Sequence, residues 1–528
     1  MDAFRLVRLS EIVQNLQQPS VAQLPETAVT GICLDSRQVG QGSIFVALEG
    51  GNTDGHRFIP DAIQRGAVAI VGTQSLENLP VPYIKVEDSR RALADLAAAF
   101  YGFPARSLTV IGVTGTDGKT TTSNLIYQIL LAAGLQAGMI STVNALIGDQ
   151  VLDTGFHVTT PEAPDVQRYL AQMVAAGLTH VVLETTSHGL EQQRVANCEF
   201  DLAVVTNISH EHLDFHGTYP AYRAAKARLF TGLGETRPKS MGNPRIAVLN
   251  WDDSSYDYLT SLLVQNFPQV RQLSYGLSAG PTVYAEDVLS SPAGLRFTAV
   301  GPGYAVPVET HLVGEYNVSN CLAAMAVAVE GLGIKADDAR RGIADMPGIP
   351  GRMEMIDLGQ DFLAIVDFAH TPNALRRALE AARQFTNGRV ICVFGSAGLR
   401  DRLKRRMMAE TSAELADLTV LTAEDPRTES LADILAEMAA GAVACRGIEG
   451  KTFWCIPDRG AAIRFALGLA ETGDVVMACG KGHEQSMCFG ETEYPWDDRI
   501  AMRAALADLL GIPGPEMPSL PTSKEANL

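Results

Sequence analysis

The sequence predicts an α/β protein in which two open, mostly parallel sheets follow one another behind a smaller N-terminal domain. Length is the first reason: at about 100 to 200 residues per domain, a chain of 528 residues implies about three cores rather than one. From Leu108 onward, apolar runs at 110–113, 180–183, 201–206 and 246–249 alternate with helical patterns, the βαβ rhythm of a doubly wound sheet. A second series at 362–366, 390–394, 418–422 and 474–479 begins only after Met346-Pro347-Gly348-Ile349-Pro350-Gly351-Arg352, whose Pro and Gly residues interrupt both helix and strand.

In chain order, residues 1–106 hold strand-like runs at 43–48 and 68–71 and a helical stretch at 90–101 that stops at Gly102-Phe103-Pro104. The central domain is expected over 107–346 and the last over 347–511. Residues 512–528 carry Pro513, Pro515, Pro518 and Pro521 among polar residues and read as a loose tail. No apolar run reaches the roughly 18 residues that span a bilayer, and residues 1–10 lack the apolar core of a secretion signal, so a cytoplasmic protein without membrane insertion is expected. A net charge of −18 argues against coating nucleic acid, which needs a basic surface. The eight cysteines form no C-x-x-C pair and most sit in apolar contexts such as Ile391-Cys392-Val393, so buried thiols are expected rather than disulfides or a zinc site.

The most informative stretch is Gly115-Thr116-Asp117-Gly118-Lys119-Thr120-Thr121, set between the apolar run ending at Val113 and the helical pattern of 124–131. A strand, a glycine-rich turn and a helix N-terminus form an anion cradle: backbone N–H groups close on phosphate oxygens, Lys119 reaches the terminal phosphates and Thr120 can ligate Mg²⁺. Val113 stands where the strict P-loop pattern has its first glycine, so the strand-to-helix context carries part of the argument against a plain Gly-rich turn. Glu184 directly follows an apolar run, where an acidic residue either holds the nucleotide's Mg²⁺ or caps the next turn. Asn207-Ile208-Ser209-His210-Glu211-His212 opens a histidine-rich loop without metalloprotease spacing; of its histidines only His212 is taken as a ligand.

The loop 115–121, Glu184-Thr185-Thr186-Ser187-His188-Gly189-Leu190, His212-Leu213-Asp214, Tyr222-Arg223-Ala224-Ala225-Lys226, Gly314-Glu315-Tyr316-Asn317-Val318-Ser319-Asn320, Gly351-Arg352-Met353-Glu354 and Asp367-Phe368-Ala369-His370-Thr371-Pro372 occur in the order seen in Mur ligases. The chain resembles that family over nearly its whole length. Leu34-Asp35-Ser36-Arg37, Thr159-Thr160-Pro161 and Gly480-Lys481-Gly482-His483-Glu484 look most like the members that add the third residue of the cell-wall peptide stem.

The resemblance implies a monomeric, three-domain ligase: an N-terminal UDP-sugar-nucleotide domain, a central P-loop ATPase domain on a parallel sheet, and a C-terminal Rossmann-like domain that delivers the amino acid. Its substrates would be ATP, a UDP-N-acetylmuramoyl-dipeptide and a diamino acid, with two Mg²⁺ ions. ATP would phosphorylate the peptide carboxylate, and the amine would attack the resulting acyl phosphate. By the same resemblance, Gly115 to Thr121, Asn317 and Arg352 bind ATP. Leu34, Ser36, Gly51, Asn52, Thr53, Thr159, Thr160, Thr186, Gln192 and Arg194 bind the UDP-sugar peptide. Thr120, Glu184, His212 and Lys226 hold metal, with Lys226 carbamylated, and Lys119, Lys226 and His212 serve the chemistry. Arg400, Glu424, Asp425, Pro426, Arg427, Gly480 and Glu484 hold the amino acid.

Two departures matter. Asp117 replaces a common Asn beside the phosphates, adding an anion. Glu424-Asp425-Pro426-Arg427 replaces Asp-Asn-Pro-Arg: Arg427 keeps the guanidinium that meets a distal carboxylate, whereas Asp425 is expected to attract a distal ammonium. The balance tips toward meso-diaminopimelate over L-lysine or L-ornithine. The rivals are a folylpolyglutamate synthase of the same superfamily and an NTP-driven switch.

Overall fold

The computed structural model describes residues 7–16, 19, 24–50, 53–152, 160–209, 213–291 and 293–524. The N-terminal domain is built on a four-stranded parallel sheet, ordered Gly31–Cys33, Ser43–Val46, Ala69–Gly72, Tyr83–Lys85. Alternate residues feed its two faces, as strand geometry requires: Ile44 and Val46 pack with Leu93 and Leu96 of the helix Ser89–Phe100, while Phe45 packs on the other side with Ile59. Asp88 caps that helix, its carboxylate accepting from the N–H groups of Arg90 and Arg91.

The central sheet has eleven strands. At its heart Ala137–Ile140, His180–Glu184, Thr109–Thr114, Leu202–Val205, Ile246–Asn250 and Arg271–Gly276 run parallel in that spatial order. Thr109–Thr114 is covered on both faces, Ile111 and Val113 in one apolar cluster and Val110 in another, which is why it reads as a continuous apolar run. The chain leaves it first for Ala137–Ile140, fills in His180–Glu184 on that same side and later returns on its other side at Leu202–Val205, so the loop after it sits where ligands of open sheets bind. Antiparallel strands extend the sheet at both ends, Ala145–Ile147 with Gln150–Leu152 and Val283–Ser291 with Gly294–Gly301 and Tyr304–Thr310. The alternating-strand expectation missed these because they are half-exposed and carry no long apolar run.

The C-terminal sheet is ordered Glu354–Ile356, Leu363–Asp367, Val475–Cys479, Val390–Phe394, Leu418–Leu421, Phe453–Cys455, parallel except for its first strand. The tail expected to be loose is docked through residue 524. Leu520 is buried in the C-terminal core, Pro521–Lys524 forms a 3₁₀ turn, and the hydroxyls of Thr522 and Ser523 donate to Asp458 Oδ2 at 2.9 and 2.8 Å. Its prolines mark an irregular path, not a lack of anchors, and one buried leucine with two hydrogen bonds supplies those. All eight cysteines are free thiols, as expected; Cys198, Cys321, Cys392 and Cys479 are buried and the other four only partly so. Among the described residues no helix is long and apolar enough to cross a membrane.

Candidate active site

The turn after Thr109–Thr114 holds its shape through two glycines and the neighbouring strand end. A side chain on Gly115 would meet Thr206 Oγ1 at 1.8 Å, and Gly118, with φ of +80°, starts the helix Lys119–Ala132. Thr116 N donates to Asn207 O at 2.7 Å, and Thr206 Oγ1 donates to Asp117 O at 2.6 Å. Lys119 Nζ folds back on Thr116 O at 2.7 Å. Thr120 Oγ1 donates to both oxygens of Glu184, at 3.1 and 3.0 Å, and the buried Glu184 carboxylate also accepts from the N–H and hydroxyl of Thr142. The Asp117 carboxylate reaches Asn373 on the C-terminal domain at 3.4 Å, so its charge is directed across the domain junction.

Lys226 is no surface lysine. It is 2% exposed on the helix Tyr219–Glu235, its Nζ donating to Gly115 O at 2.6 Å and lying over the Tyr222 ring. Thr160 and Thr186 share a hydrogen bond at 3.1 Å, and Thr160 O accepts from Arg194 at 2.8 Å. The Arg194 fork is already engaged: it also pairs with Glu162 and donates to Gln192 Oε1, and burial pushes its pKa down. These contacts make it a clamp on the Thr160 loop at the edge of the cleft. Asn317 lies one step from the phosphate loop, accepting from Asn320 Nδ2, while Asn320 Oδ1 accepts from Thr122. Arg352 bridges the domains, 3.4 Å from Thr120 Oγ1 and stacked over Phe368, with its buried Nε unpartnered among the described residues.

At the far end, Gly480 follows Val475–Cys479 with φ of +109°, and a Cβ there would meet Glu424 Oε2 at 2.3 Å. Glu424 is 6% exposed, its Oε2 has no partner among the described residues, and burial pushes its pKa up to about 7 despite Lys404, Arg459 and Lys481 nearby. Asp425 is not the available anion read from the sequence: Lys481 Nζ lies 3.1 Å from both its oxygens, and Cys488 N donates to it at 2.9 Å. Pro426 is buried beneath the loop. Arg427 is pinned by its backbone, N to Cys488 O and O to Gly490 N, while its guanidinium makes no hydrogen bond or ion pair among the described residues. Arg400 is exposed at the rim, and Glu484 pairs with Lys481 at 2.5 Å.

One cleft of about 1770 Å³ between the central and C-terminal sheets is lined by residues 116–121, Thr160, Glu184, Thr186, Arg194, Asn317, Arg352, Arg400, Glu424, Asp425, Arg427, Gly480 and Glu484. Leu34, Ser36 and Thr53 lie in the N-terminal domain outside this lining, as do Gln192, Lys226 and Pro426 outside it in their own domains. Gly51, Asn52, Thr159 and His212 fall outside the described residues. Residues 113–328 match the Mur ligase middle domain, 351–482 the Mur ligase glutamate ligase domain and 28–101 the catalytic domain of the Mur ligase family. The chain is 44% identical over 510 residues to UDP-N-acetylmuramyl-tripeptide synthetase of Roseiflexus sp. (strain RS-1), covering 95% of this chain and 99% of that protein.

The chain belongs to the Mur ligase family.

It is also 42% identical to UDP-N-acetylmuramoyl-L-alanyl-D-glutamate--2,6-diaminopimelate ligase of Geobacillus thermodenitrificans (strain NG80-2), over 91% of this chain and 95% of that one. A solved structure of a ligase of that same name superimposes with a TM-score of 0.66 at 32% identity, covering 96% of this chain and 100% of that one. Sequence reading passed over three partners in this Mur ligase's cleft. Thr142 holds Glu184, Asn320 accepts from Thr122 just past the phosphate loop and Lys481 ties Asp425 to Glu484. The last two stood inside motifs already singled out, so a polar residue within a motif was the available signal; Thr142 had none.

Proposed function

We propose that this Mur ligase adds meso-diaminopimelate to UDP-N-acetylmuramoyl-L-alanyl-D-glutamate, as an ATP-dependent cytoplasmic monomer in the synthesis of cell-wall precursors. The observation that carries the reading is the cleft itself, which sets the phosphate loop of the central domain opposite the Arg427 loop of the C-terminal domain. A carboxylate is a poor acylating agent. The γ-phosphoryl group of ATP passes to the peptide carboxylate, giving ADP and an acyl phosphate; the amine then attacks, loses a proton, and phosphate leaves as the amide forms. The chain's part is alignment and charge neutralisation. Lys119 swings from Thr116 O to the terminal phosphates, Arg352 carries positive charge to the same place from the other domain, and Arg427 with Glu424 orients the amino acid. Relatives matched along almost the whole chain carry muramoyl-peptide ligase names, whereas a folylpolyglutamate synthase shares the fold at only 15% identity, which favours the muramoyl-peptide reading.

Thr120 and Glu184 are hard oxygen donors already in contact beside the loop, a set suited to a Mg²⁺ that takes its remaining ligands from phosphates and water. When bound there, the ion neutralises phosphate charge. A second Mg²⁺ is assigned to Lys226, as its carbamate, with His212. The carbamate forms when neutral Nζ attacks CO₂ and releases a proton, and it turns a cation into a ligand anion. Lys226→Ala is expected to be inactive and partly restored by a short added carboxylate such as propionate; full activity without it would exclude the modification.

The direct test is ligation by the full-length protein with ATP, Mg²⁺ and UDP-N-acetylmuramoyl-L-alanyl-D-glutamate, challenged separately with meso-diaminopimelate, L-lysine and L-ornithine. Amide formation with diaminopimelate in preference to the other two is expected. ATP hydrolysis uncoupled from both peptide and amino acid would instead indicate a switch.

A further inference from the structure

Lys481 has no route to water. Its side chain is fully buried, with Nζ 3.1 Å from each oxygen of Asp425 and 2.5 Å from Glu484 Oε2. A buried ammonium is tolerated when paired and hydrogen-bonded, and here three donors face three acceptor oxygens. The two carboxylates come from different strand ends, Asp425 from the loop after Leu418–Leu421 and Glu484 from the loop after Val475–Cys479. Asp425 also accepts from Cys488 N at 2.9 Å, and two residues further on Arg427 N donates to Cys488 O at 3.1 Å. What holds Asp425 therefore also registers the Arg427 backbone.

We infer that Lys481 is a positioning and specificity-determining residue for the third amino acid: by holding Asp425 and Glu484 on one ammonium, it cancels the anion that Asp425 adds and leaves Arg427 to select a substrate with a distal carboxylate. The inference rests on the ligase reading above. With Lys481 in place, one buried ammonium answers the Asp425 and Glu484 carboxylates, and Arg427 and Lys404 line the same end of the cleft. Without it, this end of the cleft gains one net negative charge beside Glu424, which shifts the surface toward the distal ammonium of lysine and away from a carboxylate. Lys481 works through Asp425 and Arg427 and touches no reacting atom.

The test measures kcat/KM of the full-length protein for meso-diaminopimelate and for L-lysine, at saturating ATP and UDP-sugar dipeptide, in wild type, Lys481→Met, Asp425→Asn and the double variant. Lys481→Met is expected to lower the diaminopimelate-to-lysine ratio about 100-fold, the scale of breaking one partner of a buried charge pair. Most of that fall should lie in the amino-acid KM, with the KM for ATP within about twofold of wild type. Asp425→Asn, which removes the anion and keeps the cation, should raise the ratio. The double variant should recover at least about tenfold of the loss, because the charges again balance. An equal fall for both amino acids, a shift toward lysine in Asp425→Asn, or a double variant no better than Lys481→Met overturns the inference. Should a thermal melt show Lys481→Met unfolded, the direction of Asp425→Asn alone decides. A wild type that ligates neither amino acid overturns the ligase reading and this inference with it, whereas wild-type ligation with an unmoved ratio overturns only the role of Lys481.

Discussion

Replacing Lys119 with alanine is expected to lower ligation several hundred-fold while the protein melts within a few degrees of wild type. The two halves of that expectation come from different observations. Lys119 is only partly buried, and among the described residues its Nζ makes a single hydrogen bond, to Thr116 O, inside a loop held independently by Thr206 and Asn207. Its loss costs little stability, on the scale of one ordinary surface substitution, about 0.5 kcal/mol. In the reaction, the same ammonium meets negative charge redistributing over the transferring phosphoryl group. Removing one such preorganised donor costs about 3 to 4 kcal/mol of transition-state stabilisation, hundreds-fold in rate. The loss should fall on kcat, with the KM for the UDP-sugar dipeptide unchanged, since Lys119 lies at the phosphate end. Steady-state phosphate release in the presence of all three substrates measures it. Turnover within a few-fold of wild type would detach the loop 115–121 from ATP.

What was legible in the sequence is what local physics writes into consecutive residues. Val390–Phe394 was expected as found, and Thr109–Thr114, His180–Glu184 and Val475–Cys479 to within a residue at either end, because strands buried on both faces must be continuously apolar. The glycine turn and Glu184 stood out because strand ends, not sequence neighbours, meet at the switch of an open sheet. Pairings between distant residues left no such trace. Asp425 meets Lys481 across 56 positions, and Glu184 meets Thr142 across 42. Each partner looked ordinary alone, and the charge of Asp425 was therefore assigned to the substrate when the fold assigns it to a lysine. The docked tail escaped for a related reason, since Leu520 is one apolar residue whose partner surface belongs to elements far upstream.

The other large expected effect is a change of selectivity. Arg427→Ala should lower kcat/KM for meso-diaminopimelate by about 1000-fold or more and change that for L-lysine by only a few-fold. A site built to pair a polar substrate group rejects an analogue lacking it by about 10⁴, and most of that discrimination is expected to reside in one bidentate guanidinium–carboxylate contact. Two nearby arginines are committed elsewhere: Arg405 pairs with Glu429 and Glu437 at 2.8 and 3.0 Å, and Arg459 with Asp498 at 2.6 Å. Arg427 lines the cleft with no ion pair of its own among the described residues, as a cation awaiting an external anion must. The variant also separates charge from shape. Arg427 adopts φ of +54°, and its N–H and C=O bonds to Cys488 and Gly490 are backbone contacts that alanine retains at the same strain. A loss confined to diaminopimelate therefore reads the guanidinium. An equal loss for both amino acids means that the side chain merely shapes the loop, and Arg427→Lys, which keeps the charge without the fork, then behaves like wild type for neither.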